Sequence, residues 1–459
     1  MPGSWRFSAA EAAVMAVRQA MREGASEAEA YVVVERGYTV RVAANTVSDL
    51  VAERDAGIAV RAAVGKRVGF AYSTGLSAES IREAARSAVK AARASPEDPW
   101  WRGFPEPGES NPEPGGIYEA SLARIEPGTL VEDVRELLGY VAERYGSKGV
   151  SVTRASLGVS EVERAIANSN GVYRVDVGTF AAAYVALAAR FSDGRVSPSI
   201  YEFASSRTTL PSLTELADRA ADKVLLTEKV YKGLGAGRYT VVYTPEALAE
   251  LLEYTVLGSL NGEMVVRGRS FYRGKIGEKV MDERITIVDD GVMKGGDATW
   301  RFDGEGVPMK RKVLVEKGVL RGFIYDSYWG SRAGTASTGN AVRSSYTTRP
   351  HIGFTNLVVA EGDAAPEELL EGKVVVVYSV QGAHTANMET GEYSVVANPA
   401  VLYVDGEPQG MIPGAAVAGN MYRELAEAVE AVGRWTEKPY PGVHLPWVRL
   451  GGVHVAPRD

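Results

Sequence analysis

His351, His384, His444 and His454 are the only imidazoles in this chain of 459 residues, and there is no cysteine. A catalytic zinc site takes three protein ligands and keeps a fourth position for water. No two of these histidines stand four residues apart, so no HExxH helix exists. Without cysteine there is no thiolate ligand, no cysteine nucleophile and no disulfide. Neither a G-x-S-x-G elbow nor a G-x-x-x-x-G-K-[ST] loop is present. The glycine run GLGAG at 233–237 precedes a strand pattern rather than a helix, so it reads as a hinge between halves and not as a phosphate cradle. Asp289-Asp290 and Asp303-Gly304-Glu305 lack EF-hand spacing and read as turn residues. Two polar loops remain, RSSYTTRPHIGFTN at 343–356 and VQGAHTANMETGEY at 380–393, each flanked by strand patterns. Loops on a strand scaffold are where binding groups gather.

The elements that would carry these loops divide the chain in two. Ser8 and Glu11 have capping-box spacing, which predicts a helix over 8–23. Alternating patterns predict one hairpin, 28–35 with 38–44, around Arg36-Gly37, and another, 57–64 with 67–72, around Gly65-Lys66. A second helix is expected over 77–94. Proline and glycine then break regular structure through 96–116, with Trp100 and Trp101 expected to pack back on the body. A helix over 131–145 follows. Strands come next at 149–157, 161–168 and 172–189, with Asn170-Gly171 as a hairpin turn, and a helix over 212–226 closes the half. Thr244-Pro245-Glu246 starts another helix, with cap, proline and acid in order. Beyond it short strands and glycine turns dominate, and a last helix is predicted over 420–432. The expected fold class is α+β: a helix-and-hairpin N-terminal half followed by a strand-rich C-terminal half. The expected domains are 1–228 (sub-parts 1–95 and 117–228, joined by the linker 96–116) and 229–459.

Hydrophobic residues make up 45% and charged residues 24%, the range of a globular protein. The net charge of −7 gives no global footprint for nucleic acid. The first six residues hold no apolar leader and no run nears 18 apolar residues, so neither secretion nor membrane spanning is expected. A cytoplasmic location is expected.

Several segments, in order, resemble the TldD/PmbA family of metalloproteases and DNA-gyrase modulators. They are GIAVRAAVGKRVGF at 57–70, IANSNGVY at 166–173, IGEKV at 276–280, ITIVDDG at 285–291, DGEGVP at 303–308, VLVEKGVLRG at 313–322 and GAAVAGN at 414–420. Thr338-Gly339-Asn340, Arg349-Pro350 and Thr355-Asn356-Leu357 add to the set. The resemblance implies an H-E-x-x-x-H motif on the helix that starts at Pro245. Counting back from IGEKV without gaps, the motif positions fall on 253–258. Glu253 stands in place of the first histidine, Tyr254 in place of the general-base glutamate and Gly258 in place of the second histidine. The family's further cysteine ligand has no counterpart.

That departure resembles the TldE/PmbA branch. It implies no catalytic residue, no metal site and no cofactor in this chain. It also implies a TldD-type HExxxH metalloprotease subunit as partner and peptides as substrates, with a homodimer as the alternative state in isolation. The candidate peptide-binding residues are Arg349, His351 and Asn356 of the first loop and Gln381, His384 and Asn387 of the second. Two rival readings are a self-sufficient hydrolase using His351 or His384, and a regulatory binding protein linked to gyrase or toxin–antitoxin control.

Overall fold

A computed structural model of the protein describes residues 7–108 and 110–457; Met1 to Arg6, read above for a leader, and Glu109 within the 96–116 linker lie outside the described residues. The N-terminal sheet has six strands: β1 (Glu27–Ala43), β2 (Thr46–Val64), β3 (Arg67–Thr74), β4 (Val150–Asn168), β5 (Tyr173–Ala189) and β6 (Ile200–Ser206). Their order is β3-β2-β1-β4-β5-β6, and every neighbour pair is antiparallel.

The second predicted hairpin turn, at Gly65-Lys66, stands; the first does not. β1 runs unbroken through Arg36-Gly37, and the chain turns at Ala44-Asn45, both with positive φ. Gly37 marks a close approach instead of a turn: a Cβ there would overlap the carbonyl of Val159 on β4. The expected break between 157 and 161 is likewise absent, since β4 crosses it as one strand.

Four main helices cover one face of this sheet: α1 (Ala9–Arg22), α2 (Ala78–Ala94) and, beyond the short turn α3 (Ala120–Ala123), α4 (Pro127–Tyr145) and α5 (Leu213–Leu225). α1 has the predicted capping box between Ser8 and Glu11. Val32, Val34, Val40 and Val42 share one side of β1 because side chains alternate along a strand. The first two pack with α1 and α2, the last two with α4 and α5. Within the linker, Trp101 packs edge-on against Phe104 at 5.0 Å. Trp100 stays 47% exposed beneath the guanidinium of Arg332.

The opposite face of the sheet receives the C-terminal half. Tyr31, Ala59, Ile166 and Val172 pack there with Phe302 and Tyr346. Charged groups are buried in the same seam. Arg61 donates to Glu29 at 2.6 and 2.9 Å and to Glu305 at 2.8 Å, and Arg343 meets Glu29 at 2.5 Å. The fully buried Arg207 donates to the carbonyls of Ile117, Thr179 and Thr299 at 2.7–2.9 Å. The Asp303-Gly304-Glu305 turn reading is thus correct locally but incomplete. Asp303 accepts the backbone N–H of Glu305 and Val307, while the Glu305 side chain crosses the seam. Asp289 is also buried and is held by Lys312, Asn340 and Thr355.

The C-terminal half is built on a 13-stranded mixed sheet whose centre is the strand Val443–Ala456, paired to β7 (Gly237–Tyr243). A side branch runs from Val443–Ala456 through Ala416–Asn420 and Glu392–Ala397 to the two-residue strand Val380–Gln381. The last helix is shorter than predicted, Met421–Glu427, because Val429–Tyr440 becomes a strand against Val443–Ala456. The long-range ladder overrides the weak helical periodicity there. No helix among the described residues is long and apolar enough to cross a membrane.

Candidate functional site

Directly after β7 comes α6 (Pro245–Leu252), as Thr244-Pro245-Glu246 predicts, although the Thr244 hydroxyl donates to the Tyr378 carbonyl at 2.7 Å rather than capping. Leu248, Leu251 and Leu252 sink into the C-terminal core and fix the helix on the sheet. Residues Glu253–Leu257 then widen into a π turn. The Thr255 hydroxyl donates to the Leu251 carbonyl at 2.5 Å, a side-chain bond that competes with the helical ladder. Single π turns inside helices are frequent at functional sites. This one carries Glu253 and Tyr254 outward, Tyr254 with 39% of its surface exposed.

The second polar loop lies against this turn. His384 stands edge-on to the Tyr254 ring, with 6.5 Å between centroids. Glu250, Glu253, Tyr254, Ala383, His384 and Tyr440 line a shallow cleft. Within it Tyr440 donates to Glu250 at 2.9 Å and lies 3.1 Å from the Tyr201 hydroxyl. Met388 fills the far side of the turn. A Cβ placed on Gly258 would overlap the Met388 Sδ.

Tyr422 anchors this arrangement. Its hydroxyl sits 2.6 Å from Ser259 Oγ and 3.1 Å from the Thr255 carbonyl, and it donates to the Met388 carbonyl. Its ring stacks on Phe271 at 4.1 Å, and burial pushes its hydroxyl pKa up to about 12. Nearby, the hydroxyls of Tyr243 and Tyr393 meet at 2.8 Å and Tyr393 donates to Glu424 at 2.9 Å. Burial raises the Glu424 carboxyl to about 7, against the lowering effect of the Tyr393 bond.

No three histidine, aspartate or glutamate side chains among the described residues are grouped to hold a metal ion. A zinc ion does not fit the residues at 253–258: one exposed carboxylate and one phenol face the cleft, and a thioether occupies the space a side chain at 258 would need.

The predicted loop residues separate into two groups. Gln381, His384 and Asn387 are exposed on the loop that meets the π turn. Asn387 also shapes that loop, its side-chain oxygen accepting from the N–H of Glu389 and Thr390. Arg349 and His351 are exposed elsewhere: their loop rests on the N-terminal sheet, where Tyr346 donates to Asp55 at 3.0 Å and Arg349 lies over Phe70. Asn356 has no exposed surface. It accepts from the Ala298 N–H and donates to the Asp290 carbonyl and Thr299 Oγ1, so it holds loops together and cannot line a cleft. His351 and His384 sit on different elements and His444 and His454 on the strand Val443–Ala456, so the four imidazoles do not converge on one cluster. Sequence reasoning missed Met388 and Tyr422. Both act through distant partners, and nothing local to either residue reveals them.

Three family models match the chain: domain 1 of the PmbA/TldA metallopeptidases over 28–92, their central domain over 121–227 and their C-terminal domain over 236–457. An uncharacterized protein of Methanocaldococcus jannaschii is 31% identical over 81% of this chain and 83% of its own length. A TldD metalloprotease homologue of Buchnera aphidicola is 26% identical, covering 83% of this chain and 79% of its own. Among solved structures, TldE from Thermococcus kodakarensis superposes with a TM-score of 0.88 at 29% identity, covering 96% of this chain and 98% of its own.

Proposed function

The chain belongs to the PmbA/TldA metallopeptidase family, and from that premise we propose that it is a non-catalytic subunit of the TldE type. In this reading it pairs with a TldD-type subunit that bears the HExxxH motif, and the pair degrades peptides or trims precursors in the cytoplasm. The observation that carries the proposal is the Met388 thioether in the space beside Gly258, where the family motif would need an imidazole. Loss of the ligands is then built into the packing, because the loop is locked there by Tyr422. The likeness to TldE supports the same reading.

The role left to this chain is to shape the peptide cleft. The strand Val380–Gln381 stands last on its branch of the sheet, and an extended peptide could add beside it through backbone hydrogen bonds. Gln381, His384, Asn387 and Tyr254 would then flank the peptide, with little demand on its sequence. Affinity purification of the tagged chain from its native cell tests the pairing. An HExxxH homologue should come with it in near-equal amount. Recovery of the chain alone, carrying tightly held zinc, would reject the proposal.

A further inference from the structure

The outer edge of β2 is covered along only part of its length. On one side β1 pairs with β2 down to Thr46; on the other, β3 pairs with residues 57–64 and then leaves. The Gly75 N–H donates to the Ala56 carbonyl at 2.7 Å and closes that outer ladder. Main-chain groups alternate between the two edges of a strand, so those of Leu50 and Ala52 point outward as those of Ala56 do. Among the described residues no other element bonds to them there. A bulge at Ser48, which faces no residue of β1, ends the regular stretch. Residues 49–55 are left as an edge long enough to template one added strand.

The two sides of this edge differ in chemistry. On the helix-covered side Leu50 keeps 49% of its surface open. Ala52 borders a cleft lined by Tyr38, Val159, Leu122 and Ile125, where Arg36 pairs with Glu161 at 3.0 Å. On the other side Asp49, Glu53 and Asp55 project from β2, and Glu35 stands opposite Asp55 on β1. Across 35–41 and 49–55 the one cation on that side is Arg41, opposite Asp49. Asp55 accepts from the Tyr346 hydroxyl at 3.0 Å and Glu53 from the Thr39 hydroxyl at 3.3 Å, so neither bond brings a positive charge. Burial pushes the Glu35 carboxyl up against the pull of its Ser160 bond, and the charges of Glu53 and Asp55 push the same way as burial.

We propose that the 49–55 edge binds an unfolded peptide of alternating apolar and basic residues, added as an antiparallel strand. Its apolar residues would lie opposite Leu50 and Ala52, with their N–H groups toward β2 and their side chains toward the cleft of Tyr38 and Val159. Its basic residues would fall on the side of Asp49, Glu53 and Asp55. Backbone bonds supply affinity in such an addition, and alternate side chains supply selectivity. The chain's net charge of −7 attracts the same kind of peptide from a distance. The edge shares no lining residue with the cleft at the π turn and needs no protease partner, so it stands or falls separately from the pairing proposed above.

Fluorescence anisotropy on the full chain tests it with labelled Lys-Val-Lys-Val-Lys-Val-Lys. Three comparison peptides accompany it: a block isomer with all lysines before all valines, the alternating peptide with glutamate for lysine, and the alternating peptide with N-methylated valines. The alternating lysine peptide should bind, and each comparison peptide should bind at least about tenfold more weakly. The block isomer has the same composition, so that difference reads strand register and not net charge. The double variant Asp49→Lys with Glu53→Lys, both exposed positions, should weaken the alternating peptide by a similar factor. Absence of binding by the alternating lysine peptide at millimolar concentration would overturn the proposal. Equal affinity for the block isomer or the N-methylated peptide, or unchanged affinity in the double variant, would do the same.

Discussion

At the scale of single residues, the proposed loss of a metal site rests on Gly258, Met388 and Tyr422. Restoring the family's second histidine with Gly258→His should not restore a zinc site. The new side chain meets the Met388 sulfur and should destabilise the fold by about 1–3 kcal/mol through overpacking. Metal content and thermal melting measure both effects, and adding Met388→Ala should recover part of the lost stability. Tyr422→Phe removes a hydroxyl that bridges two carbonyls and a serine, leaving buried acceptors unmet; the expected loss is about 1–3 kcal/mol. Glu424 makes a pH prediction. Its native carboxyl sits near 7, above its value in an unfolded chain. Below the unfolded value both states are protonated and the group has no effect on the slope. Between there and about 7 the native state keeps a proton that the unfolded state has released, so this stabilising contribution fades as pH rises, at up to about 1.4 kcal/mol per unit. Denaturant unfolding across pH 4–8 should show that slope, and Glu424→Gln should flatten it.

At the scale of elements, packing decides what pattern alone left open. Helices α1, α2 and α5 were legible because caps and apolar stripes agree, whereas α4 has no side-chain cap and starts at Pro127, ahead of the predicted 131. The turn at Arg36-Gly37 was misread because glycine in a strand has two meanings, a turn or a close approach. Gly37→Ala should therefore destabilise the N-terminal sheet rather than a hairpin loop. Circular dichroism melting would register the loss, and an unchanged melt would contradict the observed register of β1 with β4. The final strand pair 429–456 was hidden for another reason. Its register shifts interrupt the alternation that marks a strand, and its prolines and glycines resemble a tail. The resemblance assigns the family motif to 253–258, but the thioether beside Gly258 comes from Met388, more than a hundred positions away.

At the scale of the molecule, a buried ionic seam ties the face of the N-terminal sheet to residues 303–305 and 343. Asp303-Gly304-Glu305 looked like a turn because turn chemistry is local and readable, whereas Arg61, Glu29 and Arg343 reach it only in the fold. Glu305→Gln leaves Arg61 with one carboxylate fewer in a dry site, and the cost of breaking a buried pair is about 3–5 kcal/mol. In the proposed assembly this chain supplies surface and a partner supplies the metal chemistry. It is tested most directly by titrating this chain into a fixed amount of its HExxxH homologue while following hydrolysis of an unfolded peptide. This chain alone should hydrolyse nothing, and the rate should rise until it saturates at an equimolar mixture; hydrolysis by this chain alone, unchanged when the homologue is added, would refute the division of roles.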